Sequence, residues 1–275
     1  MSDGQQAPAS GAAKPSPAGM YDCYLGGTAN SAADRAAVER ITRAIPEIKQ
    51  VAWANRGFLL RAVSWLAGEC GIRQFIDIGA GLPTQRPTHE VARGIVPDSR
   101  VVYTDNDPQV VARGYDILKG VNGAAVIQAD FRQPRALLDH PETRRLIDFA
   151  EPVGLLVIAV TQFVADADDP WSCVRQYVEP LAPDSYLALS APTADHKVSW
   201  RVDQVLDVYA SSTVPVNAAR TKPEIERFFD GMEIVPPYDG AGCAVAHVGL
   251  WGAEDPELAD DDASRWFYAA VARKP

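Results

Sequence analysis

At 275 residues, 47% of them hydrophobic and 23% charged, the chain suits one large α/β domain, or one domain with a small appendage, and a sizeable core. Its formal charge of −10 argues against a protein that rides on nucleic-acid phosphates or anionic lipid, because both demand clustered Lys and Arg. The longest apolar run, residues 153–160, is too short to span a bilayer, and the N-terminus lacks the charged-then-apolar order of a signal peptide.

Residues 1–17 are small and polar, cannot bury enough surface to offset their ordering entropy, and are expected to form a disordered tail. Order is expected from about Met20. Helical periodicity then runs over residues 31–44 and 46–69, with Pro46 dividing the two and Gly71 stopping the second. Together these make residues 18–70 an N-terminal helical cover, ahead of an α/β domain over 71–275.

After Gly71 the pattern alternates. Apolar strands are expected at 74–78, 100–104, 124–128, 153–160 and 185–190, with helices between them at 88–96, 108–118, 134–150 and 169–181. Strands apolar throughout and separated by helices predict a doubly wound, mostly parallel sheet covered on both faces. Helices follow near 197–210 and 223–229. Strands at 232–235 and 266–272 would form an antiparallel edge, and residues 236–264 a long surface excursion.

Ligands of such sheets bind beyond the carboxyl ends of the strands, at the topological switch point. After the first strand come Asp77, Gly79, Ala80 and Gly81; after the second, Asp105 and Asn106; after the third, Asp130 and Phe131; after the fourth, Gln162. Two glycines allow a tight turn and close approach of backbone to ligand. Asp105, 24 residues beyond Gly81, suits a carboxylate that accepts from both ribose hydroxyls. Asp130 and Phe131 suit an adenine amine and face. The third glycine of a dinucleotide fingerprint is absent and Pro83 intrudes, so no diphosphate cradle follows. The order acid-x-Gly-x-Gly resembles the first motif of class I methyltransferases, whose turn holds the amino-acid end of S-adenosylmethionine.

The likeness extends along the chain. MYDCYLGG, FIDIGAGLPT, VVYTDNDP, QADFRQP, FVADADDP, ERFFDG and the terminal ARKP resemble, in order, the actinobacterial S-adenosylmethionine-dependent methyltransferase family once catalogued as a domain of unknown function. That resemblance implies a seven-stranded class I methyltransferase-like Rossmann fold with an N-terminal helical cover. It also implies S-adenosylmethionine as cofactor, with Gly79, Ala80, Gly81, Asp105, Asn106, Asp130 and Phe131 lining its site. Thr28 and Ala29 replace a charged pair of the family's pattern, and Gln162 stands where the family often has His. This keeps open a methyltransferase fold turned to elimination or cyclisation, or a non-catalytic partner subunit, beside methyl transfer to a small molecule of specialised metabolism.

Catalytic candidates are His89, as a base at the start of a helix; Gln162, as an orienting amide; Asp166, facing substrate; and Tyr21, in a segment folding over the site. Asp168 or Asp169 reads as a helix cap. Cys23, Cys70, Cys173 and Cys243 lie far apart, as buried or partly buried thiols of a reducing cytoplasm, and the scattered histidines offer no metal site. The expected partner is a small-molecule substrate, with no nucleic acid and no membrane; a homodimer or a small partner protein is compatible with the sequence.

Overall fold

The computed structural model describes residues 14–275; the expected tail lies largely outside them. The helix α1 (Pro17–Tyr24) opens the described chain, capped by the Ser16 hydroxyl, which accepts from the Gly19 amide. It is followed by α2 (Ala32–Ala44) and α3 (Ile48–Gly68). Ser31 and Asp34 form a reciprocal capping box at the start of α2, and the second oxygen of Asp34 accepts from the Ser16 amide at 2.7 Å. One buried carboxylate therefore starts two helices at once.

The sheet comprises β1 (Gln74–Ile78), β2 (Arg100–Asp105), β3 (Ala124–Gln128), β4 (Gly154–Ile158), β5 (Tyr186–Pro192), β6 (Glu233–Ile234), β7 (Ala246–His247) and β8 (Phe267–Arg273). Its order is β3-β2-β1-β4-β5-β8-β6, parallel from β3 to β5 and antiparallel at β8. The short β7 pairs with β8 at Tyr268 and Ala269, while β6 pairs with it at Ala272 and Arg273, so the eighth strand does not lengthen the series. The chain order reverses between β1 and β4, and the two carboxyl ends diverge there to leave a crevice.

Strand periodicity divides the core. Ile76, Ile78, Leu155, Val157 and Leu187 face one layer with Leu137, Tyr177 and Phe228. Phe75, Val101, Tyr103, Leu156 and Val271 face the other, with Phe58, Leu59, Val63 and Leu66 of α3. The helix α3 thus lies along the sheet, whereas α1 and α2 pack with α9 (Ser199–Ala210) in a third cluster around Met20, Val38, Ile41 and Val208.

Helices α4 (Thr88–Ile95), α5 (Pro108–Ile117) and α8 (Pro170–Val178) fall within the expected spans, and α10 (Lys222–Glu226) begins one residue ahead of the helix expected near 223–229. The helix expected over 134–150 is instead two short ones, α6 (Pro134–Leu138) and α7 (Pro141–Leu146), because Pro141 disfavours helical backbone at the residue before it. The excursion over 236–264 carries β7 and α11 (Pro256–Ala259). It is pinned to α3 by Arg61, which donates to the Trp251 and Val248 carbonyls at 2.6 and 2.7 Å. Trp65 and Trp171 pack into the two sheet layers, whereas Trp53 and Trp200 are about half exposed. Cys243 is exposed, unlike the other three thiols. No helix among the described residues is long and apolar enough to cross a membrane, and no group of three metal-ligating side chains occurs among them.

Candidate functional site

The turn after β1 is built on two left-handed glycines, Gly79 at φ +61° and Gly81 at φ +64°. Left-handed backbone is unfavourable for side chains with a Cβ. At Gly79 a Cβ would also lie 2.7 Å from Val160 Cγ2, so the residue must be bare for the turn to pass the end of β4. The turn is held by β2: the Ala80 amide donates to the Thr104 carbonyl at 2.9 Å and the Gly81 amide to Asp105 Oδ2 at 3.0 Å. Asp105 Oδ1 accepts from the Asp107 amide at 2.9 Å. Each oxygen of this carboxylate therefore spends one lone pair on the loop and keeps another. Burial raises its pKa while these amide bonds oppose the rise.

Over the carboxyl ends of the strands lies a cavity of about 600 Å³, within the usual range for a small-molecule site. All seven expected cofactor residues line it: Gly79, Ala80, Gly81, Asp105, Asn106, Asp130 and Phe131. Asp130 is committed to Arg132, which reaches it at 2.6 Å, and that bond holds the carboxyl below its ordinary range. Phe131 is largely buried against Tyr177, so only part of its ring serves the cavity wall.

Two of the four catalytic candidates line the same cavity. Gln162 sits in a 3-10 turn (Thr161–Phe163) directly after β4 and is 6% exposed. Its Nε2 donates to the Ala159 carbonyl at 2.7 Å, across a residue forced to φ +55°. Tyr21 reaches in from α1. Its hydroxyl donates to the Ala52 carbonyl at 3.2 Å and accepts from Asn55 Nδ2 at 3.0 Å, while Asn55 Oδ1 accepts from the Ser190 hydroxyl at 2.6 Å. Burial raises the Tyr21 pKa, so the phenol stays protonated and serves as a fixed wall.

The other two candidates lie elsewhere. His89 is buried behind the turn, with its Nδ1 2.8 Å from the Tyr103 hydroxyl. That hydroxyl also accepts from the His89 backbone amide, so both the ring and the backbone of His89 are tied to Tyr103. Burial lowers the His89 pKa. Asp166 turns outward to Arg220, 2.6 Å away, because that guanidinium is buried over Trp171 and Phe228 and requires an anion. Neither residue is in the cavity wall. Asp169 caps α8 by accepting from the Ser172 amide, and Asp168 instead approaches Arg132 at 3.6 Å.

Other residues of the cavity wall lie outside the seven expected cofactor positions. Arg56 is 9% exposed and donates to the carbonyls of Gln85 and Arg86, fixing the loop beyond the glycine turn. Asn55 and Arg56 interrupt the apolar stripe of α3 between Ala52 and Leu59, and a polar pair on a buried face is the sequence trace of such a role. Asp22, 2% exposed, accepts from Thr84 and Asn30. Asp77 accepts from Thr88 at 2.7 Å, and burial pushes its pKa to about 6.

The turn, the acid after β2 and the acid after β3 fit an adenosyl ligand without phosphates. Five aspartates (22, 77, 105, 107 and 130) against two arginines (56 and 132) in the wall also suit a ligand that bears positive charge.

Known proteins agree with this reading. The profile of the family described as S-adenosyl methyltransferase matches residues 3–275. A DUF574-family protein of Streptomyces avermitilis MA-4680 is 40% identical, with a TM-score of 0.86 over 95% of this chain and 98% of its own. A candidate methyltransferase from Thermobifida fusca YX is 36% identical, with a TM-score of 0.84 over 95% of each chain. Among curated proteins none matches. Matched along nearly its whole length and at these identities, the chain belongs to the S-adenosyl methyltransferase family, whose members use S-adenosylmethionine.

Proposed function

We propose that this S-adenosylmethionine-dependent methyltransferase acts on a small molecule of specialised metabolism, held in the cavity beside the cofactor. The supporting observation is that one continuous cavity runs from Asp105 and Asp130 to an apolar end walled by α9 and the α2–α3 junction, roofed by α1. A space of about 600 Å³ under a helical roof suits a compact acceptor and has no room for a folded macromolecule.

In this reading Gly79, Ala80 and Gly81 receive the amino-acid end of the cofactor. The unused lone pairs of Asp105 take the ribose hydroxyls, and Asp130 and Phe131 meet the base. Bound there, S-adenosylmethionine supplies an electrophilic methyl group. The chain's own contribution is to position the acceptor and exclude water. Gln162 and Tyr21, fixed by their hydrogen bonds, form the face the acceptor meets.

The test has two steps. Calorimetry should show binding of S-adenosylmethionine and S-adenosylhomocysteine but not NADH. Incubation with methyl-labelled cofactor and a fractionated extract should then place label in a low-mass product. Label appearing only in protein or nucleic acid, or in nothing despite tight cofactor binding, would overturn the small-molecule reading.

A further inference from the structure

The two ends of the cavity differ in chemistry. Its charged wall residues gather at one of them. Asp77, Asp105, Asp107, Asp130 and Arg132 stand at or just beyond the carboxyl ends of β1, β2 and β3, while Asp22 and Arg56 are bonded to Thr84 and Gln85 in the loop that continues the glycine turn. The other end is formed by Ile45 and Ile48 at the α2–α3 junction, Phe163 in the turn after β4, and Val205, Leu206 and Tyr209 of α9, none of them charged. These groups adjoin one another. The Phe163 and Tyr209 ring centroids are 6.2 Å apart, and Val205 and Tyr209 pack in one apolar cluster with Ile48 and Tyr24.

The sequence of α9 builds this end. Val202, Val205, Leu206 and Tyr209 recur at helical spacing along one face, and Asp203 and Asp207 on the other side of the helix are exposed. All four apolar residues line the cavity and are only partly buried, whereas Val208 is 3% exposed in the cluster that α9 forms with α1 and α2. An apolar stripe that faces a cavity and not the core leaves its surface uncovered, and an apolar occupant stabilises it. The charges nearest in sequence are kept out of the cavity wall: Arg201 of α9 pairs with Glu47, ahead of α3, at 3.0 Å. The phenols of Tyr24 and Tyr209 stay neutral, because burial raises the first well above its ordinary value and the second to about 12. An ionised group brought to this end loses its hydration and meets no counter-charge.

We propose that the cavity face of α9 is the acceptor-binding wall, and that the acceptor presents to it an uncharged, apolar body. This rests on the function proposed above. The cofactor takes the end that holds the charged groups, and the acceptor takes the remainder of the same cavity. Selectivity then lies in Val205, Leu206 and Tyr209, against ionised groups first and against hydrophilic ones second. Each CH2 that the acceptor lays on the stripe tightens binding about fourfold.

Three naphthalenes that differ in one group test this: neutral 1-naphthylmethanol, anionic 1-naphthoate and cationic 1-naphthylmethylamine, with uridine as a neutral but hydrophilic probe of similar size. Each is titrated into the full chain saturated with S-adenosylhomocysteine. The naphthyl alcohol should bind about tenfold or more tighter than the other three. Leu206→Asp sets a carboxylate in the stripe, so the alcohol should weaken and the ammonium tighten, each about tenfold, with S-adenosylhomocysteine affinity measured alongside to report the cofactor end. Charged naphthalenes or uridine binding as tightly as the alcohol, or an unchanged order of the probes in Leu206→Asp, would overturn the proposal. The wild-type series alone decides it if the variant misfolds. Tight S-adenosylhomocysteine binding with no probe bound, or with no selection among them, removes this inference and leaves the cofactor reading standing. Absence of S-adenosylhomocysteine binding removes both.

Discussion

Thr84 donates its hydroxyl proton to Asp22 Oδ1 across 2.8 Å, joining the end of the cofactor turn to the helix that roofs it, 62 residues away in sequence. Asn30 donates to the other oxygen of the same carboxylate at 2.9 Å. The roof and the turn are therefore one hydrogen-bonded unit centred on a buried charge.

Thr84→Val keeps the shape of the side chain and removes the donor. Because the Asp22 carboxylate is left short of a partner in a buried site, the loss should be about 1–3 kcal/mol. Hydrogen exchange in residues 17–25 should accelerate while the amides of β1 and β4 stay protected, and S-adenosylhomocysteine should bind more weakly. Unchanged protection over 17–25 would show that the roof is held by its apolar contacts, Met20 and Tyr24 against α2, and not through Thr84.

The two glycines of the turn should respond differently to alanine. Both sit at positive φ, which costs an L-residue about 1 kcal/mol. Only at Gly79 does the new Cβ collide, 2.7 Å from Val160; at Gly81 it would rest 3.5 Å from Ala18, an ordinary contact. Overpacking adds about 1–3 kcal/mol, so Gly79→Ala should be the more destabilising by that margin in urea titrations. Equal losses would mean that Val160 moves aside without penalty.

Asp77 gives the fold a pH dependence of unusual sign. Burial raises its carboxyl from 3.8 to about 6, so the folded state holds the proton more tightly than the unfolded chain. The stability this contributes is fully present below about pH 4 and is lost as pH rises through about 6. A shift of this size corresponds to roughly 3 kcal/mol, set against the opposite trend of ordinary carboxylates. Asp77→Asn, which can still accept from Thr88, should remain stabilised at pH 7 and flatten this part of the curve. Parallel stability curves for the two proteins between pH 4 and 7 would show that Asp77 titrates near its ordinary value.

How much of this was legible beforehand follows from how local each signal is. The strand-turn-acid series from Asp77 to Phe131 reads directly, because each residue follows its strand and the sheet order fixes where strand ends meet. Gln162 is found the same way, after β4. Side-chain direction within a loop or helix start is not local. His89 begins α4 next to the turn, but its ring is captured by Tyr103 of β2; Asp166 lies after β4, but a buried Arg220 from a distant segment claims it. Arg56, Asn55 and Ser190 come from α3 and β5; only packing joins Asn55 to Ser190 and sets Arg56 in the cavity wall. The break of the helix at 134–150 was in the sequence as Pro141.

His89 supplies the sharpest test of the site's chemistry. A histidine acting as general base contributes about 10²–10⁴-fold to rate, and its loss would reshape the pH profile between 6 and 8. In this fold its Nδ1 is paired with the Tyr103 hydroxyl, and it stands outside the cavity wall. His89→Asn keeps a polar partner for the Tyr103 hydroxyl, so methyl transfer to the acceptor found with labelled cofactor should stay within about threefold of the parent, with an unchanged pH profile and a lower melting temperature. A hundredfold fall in kcat with the fold intact would mean that the ring rotates from Tyr103 into the cavity during turnover.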